Sequence, residues 1–248
     1  MSSPVVFIHG IRVGGTMWGP VRSHLDRPSE APDLPGHGTR RGEPFTLESA
    51  ADTVAAAVDR LGGRALLVGL SLGGYVGIAT AARFPERVAG LVAMGCTTKP
   101  DGVNAGLYRF AASLAARHPD LAGRLSAYAF HRALPGPPGD AVIAGGFTCE
   151  VMPSVVEAVT ARDPLSDLAA YPGRVWLVNG SRDPFRRHER AFLRACRDGR
   201  LLLMPGRNHL TVLAHPARMA RLVEDLACLA DQRDRPLPAR AVATPSPR

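Results

Sequence analysis

Residues 65–82 run for 18 positions without a charged side chain, near the lower limit for a membrane span. Yet the stretch contains Gly69, Ser71, Gly73, Gly74 and Gly77, which suit a turn better than a span. It divides into a leucine-rich half and a half rich in small residues. We read it as a buried strand, a tight turn and a buried helix. A strand covered on both faces that feeds directly into a helix belongs to a parallel sheet, because crossover helices must cover such a sheet on either side.

The rest of the chain repeats this rhythm. Continuously apolar runs occur at 5–8, 88–94, 175–178 and 201–204. Between them, 46–61 places Leu47, Ala50, Val54, Ala57, Val58 and Leu61 at helical spacing, and 189–196 and 216–229 behave alike. The alternation predicts an α/β fold: a mostly parallel open sheet of about six strands with helices on both faces. From 96 to 168 no buried-strand run appears. Short helices are expected at 106–117, 120–134 and 153–162, interrupted by the Pro-Gly stretch 135–139. This segment is read as a helical cap inserted into a core of 1–95 and 169–230. Residues 231–248 carry four prolines and almost no bulky apolar side chain, and are expected to form a disordered tail.

Composition narrows the function. With 248 residues, 46% of them apolar, the chain can bury a full core without staples. The cysteines at 96, 149, 196 and 228 are scattered, with no metal-spaced pair, which favours a reducing, cytoplasmic setting over a disulfide scaffold. The net charge of +8 comes almost wholly from arginine, Lys99 being the only lysine, and no block of like charge occurs. Solvated surface arginine explains this better than nucleic-acid binding. Residues 1–10 have no charged leader region, so neither a targeting segment nor a membrane partner is expected.

Three positions at strand ends carry the chemistry. Gly69-Leu70-Ser71-Leu72-Gly73 is a G-x-S-x-G between a strand and a helix expected at 74–84. A serine there sits on a strained turn that leaves no room for side chains two residues away, beside a helix N-terminus that favours negative charge. Ser71 is the expected nucleophile. Asp183 follows the strand at 175–178 and suits the acid that orients a histidine. His209 follows the last strand and suits the general base. His9-Gly10 closes the first strand and suits an oxyanion loop. The backbone N–H groups of Ile11 and Leu72 are its expected donors, and His9 is read as holding the loop.

Together these motifs resemble the α/β-hydrolase superfamily over about residues 4–230, in which nucleophile, acid and histidine occur in this chain order. The family carries a structural turn where this chain has Asp33-Leu34-Pro35-Gly36-His37-Gly38, and Asp163 and Asp167 match its segment leaving the cap. The chain looks closest to the esterase, lyase and C–C hydrolase branch. Its early start, without two leading antiparallel strands, is similar to plant methylesterases and hydroxynitrile lyases. There are departures. Ala214 stands where the family often has a structural Glu, and Leu210 where ring-cleavage C–C hydrolases often have Trp. Ser71 itself argues against the epoxide hydrolases and haloalkane dehalogenases, whose nucleophile is Asp.

The resemblance implies a serine hydrolase that cleaves an ester of a small to medium hydrophobic substrate. The same site also serves thioester or C–C hydrolysis, lyase or cyclase chemistry, and a ligand-binding protein with little turnover is the alternative outside enzymes. Candidates for the substrate pocket in the cap are Leu107, Phe110, Leu114, Phe130, Phe147 and Met152, each equally explicable as packing. Arg109 or Arg132 could meet a substrate carboxylate, against a default of exposure, and Trp18, Tyr75 and Trp176 are read as scaffold. No metal or organic cofactor is implied. Monomer and homodimer both stay open.

Overall fold

The structure, a computed structural model, describes residues 2–99 and 102–233. In chain order the elements are β1 (Val5–Ile8), α1 (Gly19–Arg22), β2 (Ser29–Glu30), α2 (Leu47–Arg60), β3 (Ala65–Leu70), α3 (Leu72–Arg83) and β4 (Val88–Met94). Four helices follow: α4 (Gly102–Arg117), α5 (Pro119–Ala133), α6 (Pro137–Ala144) and α7 (Met152–Thr160). The chain then forms α8 (Pro164–Ala170), β5 (Arg174–Gly180), α9 (Glu189–Ala195), β6 (Asp198–Met204) and α10 (Pro216–Arg233).

The strands form one six-stranded sheet in the order β2-β1-β3-β4-β5-β6, with every neighbouring pair parallel. Period-two alternation sorts its side chains. Val6, Ile8, Leu67, Leu91, Ala93, Val175 and Leu177 face a core completed by α2, α3, α8 and α9. Val5, Phe7, Leu66, Val68, Val92, Met94, Trp176 and Val178 face a second core with Trp18, α1 and α10. Because both faces are covered, the strands read as unbroken apolar runs, and each such side chain contributes about 1.5–3 kcal/mol by leaving water.

The helix at 46–61 has a clear local cause. Thr46 accepts from the Ser49 amide at 3.0 Å while Ser49 Oγ accepts from the Thr46 amide at 3.1 Å, a reciprocal cap that starts α2.

Four expectations need correction. The run at 201–204 belongs to an edge strand and is only half covered, with Leu203 45% exposed. The stretch 135–139 does not simply interrupt helices: Pro137 opens α6 at its first position, where a missing N–H costs nothing. The cap boundary at 168 falls inside α8. Asp163 caps that helix by accepting from the Leu165 amide at 3.0 Å, and the helix packs on α3 and α9 with Leu168 fully buried. Finally, α10 runs on to Arg233, past the expected start of the tail at 231. Asp231 ties its last turn down by accepting from the Ser3 amide at 3.0 Å and from Arg27 at 2.9 Å. The rest of the expected tail, 234–248, lies outside the described residues.

Among the described residues no single helix is long and apolar enough to cross a membrane, although α6 and the segment Cys149–Thr160, bent by 71°, pass that test as a pair.

Candidate active site

Ser71 occupies the single residue between β3 and α3, at φ 59° and ψ −115°. A non-glycine residue held there stores on the order of 1–3 kcal/mol of strain. The turn is pinned by the Ser71 amide, which donates to the Met94 carbonyl at 2.8 Å. It is also crowded. A Cβ on Gly73 would lie 2.1 Å from the Ile8 carbonyl oxygen, and one on Gly69 would lie 2.1 Å from that of Gly73. Only glycine fits at either position. The helix begins at Leu72, two residues earlier than expected, so the Leu72 amide is its first and has no intrahelical acceptor. The Ile11 amide also has no acceptor among the described residues. Both therefore remain free to donate beside Ser71.

His9 is fully buried and holds this loop. Its Nδ1 meets the Gly10 carbonyl at 2.8 Å and its Nε2 accepts from the Leu34 amide at 2.9 Å. Burial, then the neighbouring His37, pushes its pKa down to about 3, so the ring is neutral. Asp33 spans the adjoining turn, accepting from the Gly15 amide at 2.7 Å and the Thr39 amide at 2.8 Å. Both side chains are engaged by the backbone of the turns around them.

At the carboxyl ends of β5 and β6 the chain brings Asp183 and His209 together, Oδ2 to Nδ1, at 2.9 Å. The Asp183 side chain is buried and its other oxygen accepts from the Phe185 amide at 2.8 Å. The Phe185 ring lies 4.5 Å from the imidazole. Engaging Nδ1 leaves His209 Nε2 without a partner among the described residues. The Ser71 hydroxyl likewise makes no hydrogen bond among them, so the serine and the imidazole are not yet linked here.

Gly95, at φ 58°, lies beneath this pair: a Cβ there would stand 3.0 Å from the His209 ring and 3.1 Å from Asp183 Oδ2. Its amide donates to Asn179 Oδ1 at 3.1 Å. Asn179 is fully buried and also donates to Thr97 at 2.9 Å and Glu189 at 2.8 Å, which joins the tips of β4 and β5 to α9. The sequence reading did not include Asn179 as a site-shaping residue, although it immediately follows the run 175–178.

Ser71, Ile11, Leu72 and Gly95 line one cavity of about 320 Å³, roofed by Met152, Val155, Val156 and Val159 of α7 and flanked by Tyr75, Thr98, Tyr108 and Phe185. Of the expected pocket residues, only Met152 lines it. Leu107, Phe110 and Leu114 lie on the solvent side of α4, each more than half exposed. Phe130 and Phe147 stack on each other, at 5.7 Å, and pack with the core under α10. Arg109 bonds Thr160 at 2.9 Å, and Arg132 is exposed. Tyr75, read as scaffold, borders the cavity and donates to the Thr98 carbonyl at 2.5 Å. Arg12 also lines the cavity and was missed, because one arginine among 30 basic residues carries no signal of its own. It stands at φ 62° and is half-buried. Burial pulls its guanidinium pKa down, against an opposing effect from Cys149. Among the described residues no group of three or more His, Cys, Asp or Glu side chains could hold a metal ion.

The sequence matches the alpha/beta hydrolase family over residues 5–222. Lipase LipV of Mycobacterium tuberculosis is 38% identical over 101 residues, covering 40% of this chain and 39% of that protein, so the match spans about two fifths of that relative. The pimeloyl-[acyl-carrier protein] methyl ester esterase of Neisseria meningitidis serogroup B (strain ATCC BAA-335 / MC58) is 28% identical over 240 residues, covering 89% of this chain and 91% of that protein. A thermophilic esterase from Thermogutta terrifontis superposes with a TM-score of 0.75 at 23% identity, covering 93% of this chain and 91% of its own, a likeness of fold.

Proposed function

Because the chain belongs to the alpha/beta hydrolase family, we propose that it is a serine esterase whose nucleophile is Ser71, whose base is His209 and whose orienting acid is Asp183. The observation that carries this reading is the Asp183–His209 bond of 2.9 Å, at the sheet edge where the strained Ser71 shares a cavity wall with Phe185, whose ring lies 4.5 Å from the imidazole. Sites in open α/β sheets collect at that edge. The esterase and lipase names of the relatives support ester cleavage as the reaction.

The geometry supports the following steps. His209 Nδ1 is held by Asp183, so Nε2 takes the proton as Ser71 Oγ attacks the ester carbonyl. Serine–base contacts are often loose without substrate and tighten in the complex. The amides of Ile11 and Leu72 receive the developing oxyanion, worth about 3 kcal/mol for each donor. His209 returns the proton to the departing alcohol. It then activates a water that releases the acyl group and regenerates the serine. Small to medium esters suit the apolar roof of α7.

The test is intact mass after exposure to a fluorophosphonate, with an ester panel alongside. A single adduct on the wild type and none on Ser71→Ala is expected. A folded wild type that takes no adduct and turns over no ester overturns the reading.

A further inference from the structure

Arg12 is an arginine without an answering charge. Arg27, Arg162, Arg174 and Arg186 each meet a carboxylate, at 2.6 to 3.1 Å. The Arg12 side chain makes no hydrogen bond or ion pair among the described residues, and its titratable neighbour is the thiol of Cys149. A half-buried guanidinium gives up part of its hydration, and no protein acceptor replaces it. Its backbone is strained as well. Arg12 and Ser71 are the only non-glycine residues at positive φ among those described, and both line the same cavity. The loop is held in this form by the Thr148 amide, which donates to the Arg12 carbonyl at 3.0 Å. Two independent costs thus fall on one residue, next in sequence to the Ile11 donor. Strain of this kind persists where the surroundings enforce it, and it clusters at ligand clamps.

The other cavity-lining side chains carry no formal charge: they are aliphatic, aromatic or hydroxyl-bearing. No carboxylate in the wall competes for the guanidinium. An anion entering with the substrate would find a planar, five-donor fork with no protein partner, the geometry that suits a carboxylate.

We propose that Arg12 binds a free carboxylate of the substrate, so that the site takes the monoester of a dicarboxylic acid in preference to a neutral ester. The inference rests on the esterase reading for its reaction, while its ligand is set by Arg12 alone. The carboxylate is not consumed. Water splits the ester into alcohol and acid, and the second carboxylate stays on the guanidinium throughout.

The test pairs monomethyl glutarate with methyl pentanoate, its neutral counterpart. Binding of monomethyl glutarate to Ser71→Ala protein is measured by calorimetry, with and without Arg12→Gln. Turnover of both esters is followed by pH-stat in wild type, Arg12→Gln and Arg12→Lys. Glutamine and lysine keep the Cβ at φ 62°, so backbone strain is comparable across the series. Arg12→Gln is expected to weaken monomethyl glutarate binding by about tenfold or more. It should also raise KM for that ester by a far larger factor than KM for methyl pentanoate. Arg12→Lys should recover part of the loss.

The proposal is overturned if Ser71→Ala protein does not bind monomethyl glutarate, or binds it equally well once Arg12→Gln is added. A parallel fall in turnover of both esters in Arg12→Gln also overturns it, because that marks a loop scaffold. If Arg12-dependent binding is found but Ser71 takes no fluorophosphonate and neither ester turns over, the carboxylate subsite stands and the esterase reading falls. If Ser71 is labelled and methyl pentanoate is cleaved but Arg12→Gln leaves monomethyl glutarate unaffected, the reverse holds.

Discussion

The strands of the sheet and the first two helices of the insertion are both rich in apolar residues, yet they use them in opposite ways. Every residue of β1, β3 and β4 is buried. On α4 and α5, by contrast, Leu107, Phe110, Leu114, Leu121, Leu125 and Tyr128 are each at least half exposed. A strand between two helical layers has no solvent side, so its side chains have one possible environment. A surface helix has two sides, and its apolar stripe does not say which one faces inward. The sheet therefore fixes the edge at which Ser71, Asp183 and His209 stand, while the insertion covers the cavity beside Ser71 through α7.

Four measurements sharpen or break this contrast. The largest effect belongs to the sheet edge: Ser71→Ala or His209→Ala should lower kcat by about 10⁶, and Asp183→Ala by about 10⁴, in steady-state ester assays. A fall below about tenfold for Ser71→Ala would remove the edge as the site of chemistry. Next comes packing. Leu67→Ala on β3 should lose about 3 kcal/mol in urea unfolding, whereas Phe110→Ser on α4 should change stability by less than about 0.5 kcal/mol. Equal losses would show that the insertion is as tightly specified as the sheet.

The third measurement is stability against pH. His9 titrates near 6.5 in the unfolded chain and near 3 in the fold, so the unfolded state binds the extra proton between those values. Its contribution is complete above about pH 6.5 and is lost as pH falls toward 3, amounting to about 2 kcal/mol at pH 5. His37 is shifted in the same direction by burial and adds to the loss. Urea unfolding at pH 7.5 and 5 should show the decline, and a flat profile would contradict the buried, neutral ring. The smallest effect belongs to the roof. Val159→Phe should raise KM for a bulky ester by about tenfold with kcat little changed, and Phe110→Ser should alter neither.

What the sequence made legible follows the same division. The strands at 5–8 and 88–94 emerge at the expected boundaries because double burial leaves an unbroken apolar run. Ser71, Asp183 and His209 stood out in the sequence because each lies one to five residues past an apolar run, and the fold brings the last two into contact. The start of α3 was misjudged because Leu72 and Gly73 looked like turn residues. The cavity wall was mostly missed. Its α7 residues Val155, Val156 and Val159 give the same periodic signal as the solvent-facing stripe Leu107, Phe110 and Leu114, and only three-dimensional packing separates the two. Arg12 was invisible for another reason: what distinguishes it is the absence of a partner, and a one-dimensional pattern does not register absences.

The position of the insertion also bears on how the molecule is made. β1, β3, α3 and β4 all lie before residue 95, so the strained turn at Ser71 can form from neighbours close in sequence. Asp183 and His209 come after the insertion, and docking β5 onto β4 closes a loop of about 80 residues, a slower event than the pairings before it. During synthesis the early part emerges first. Under the proposed mechanism the serine is made well before its base, so the growing chain would have no complete triad until residue 209 has emerged.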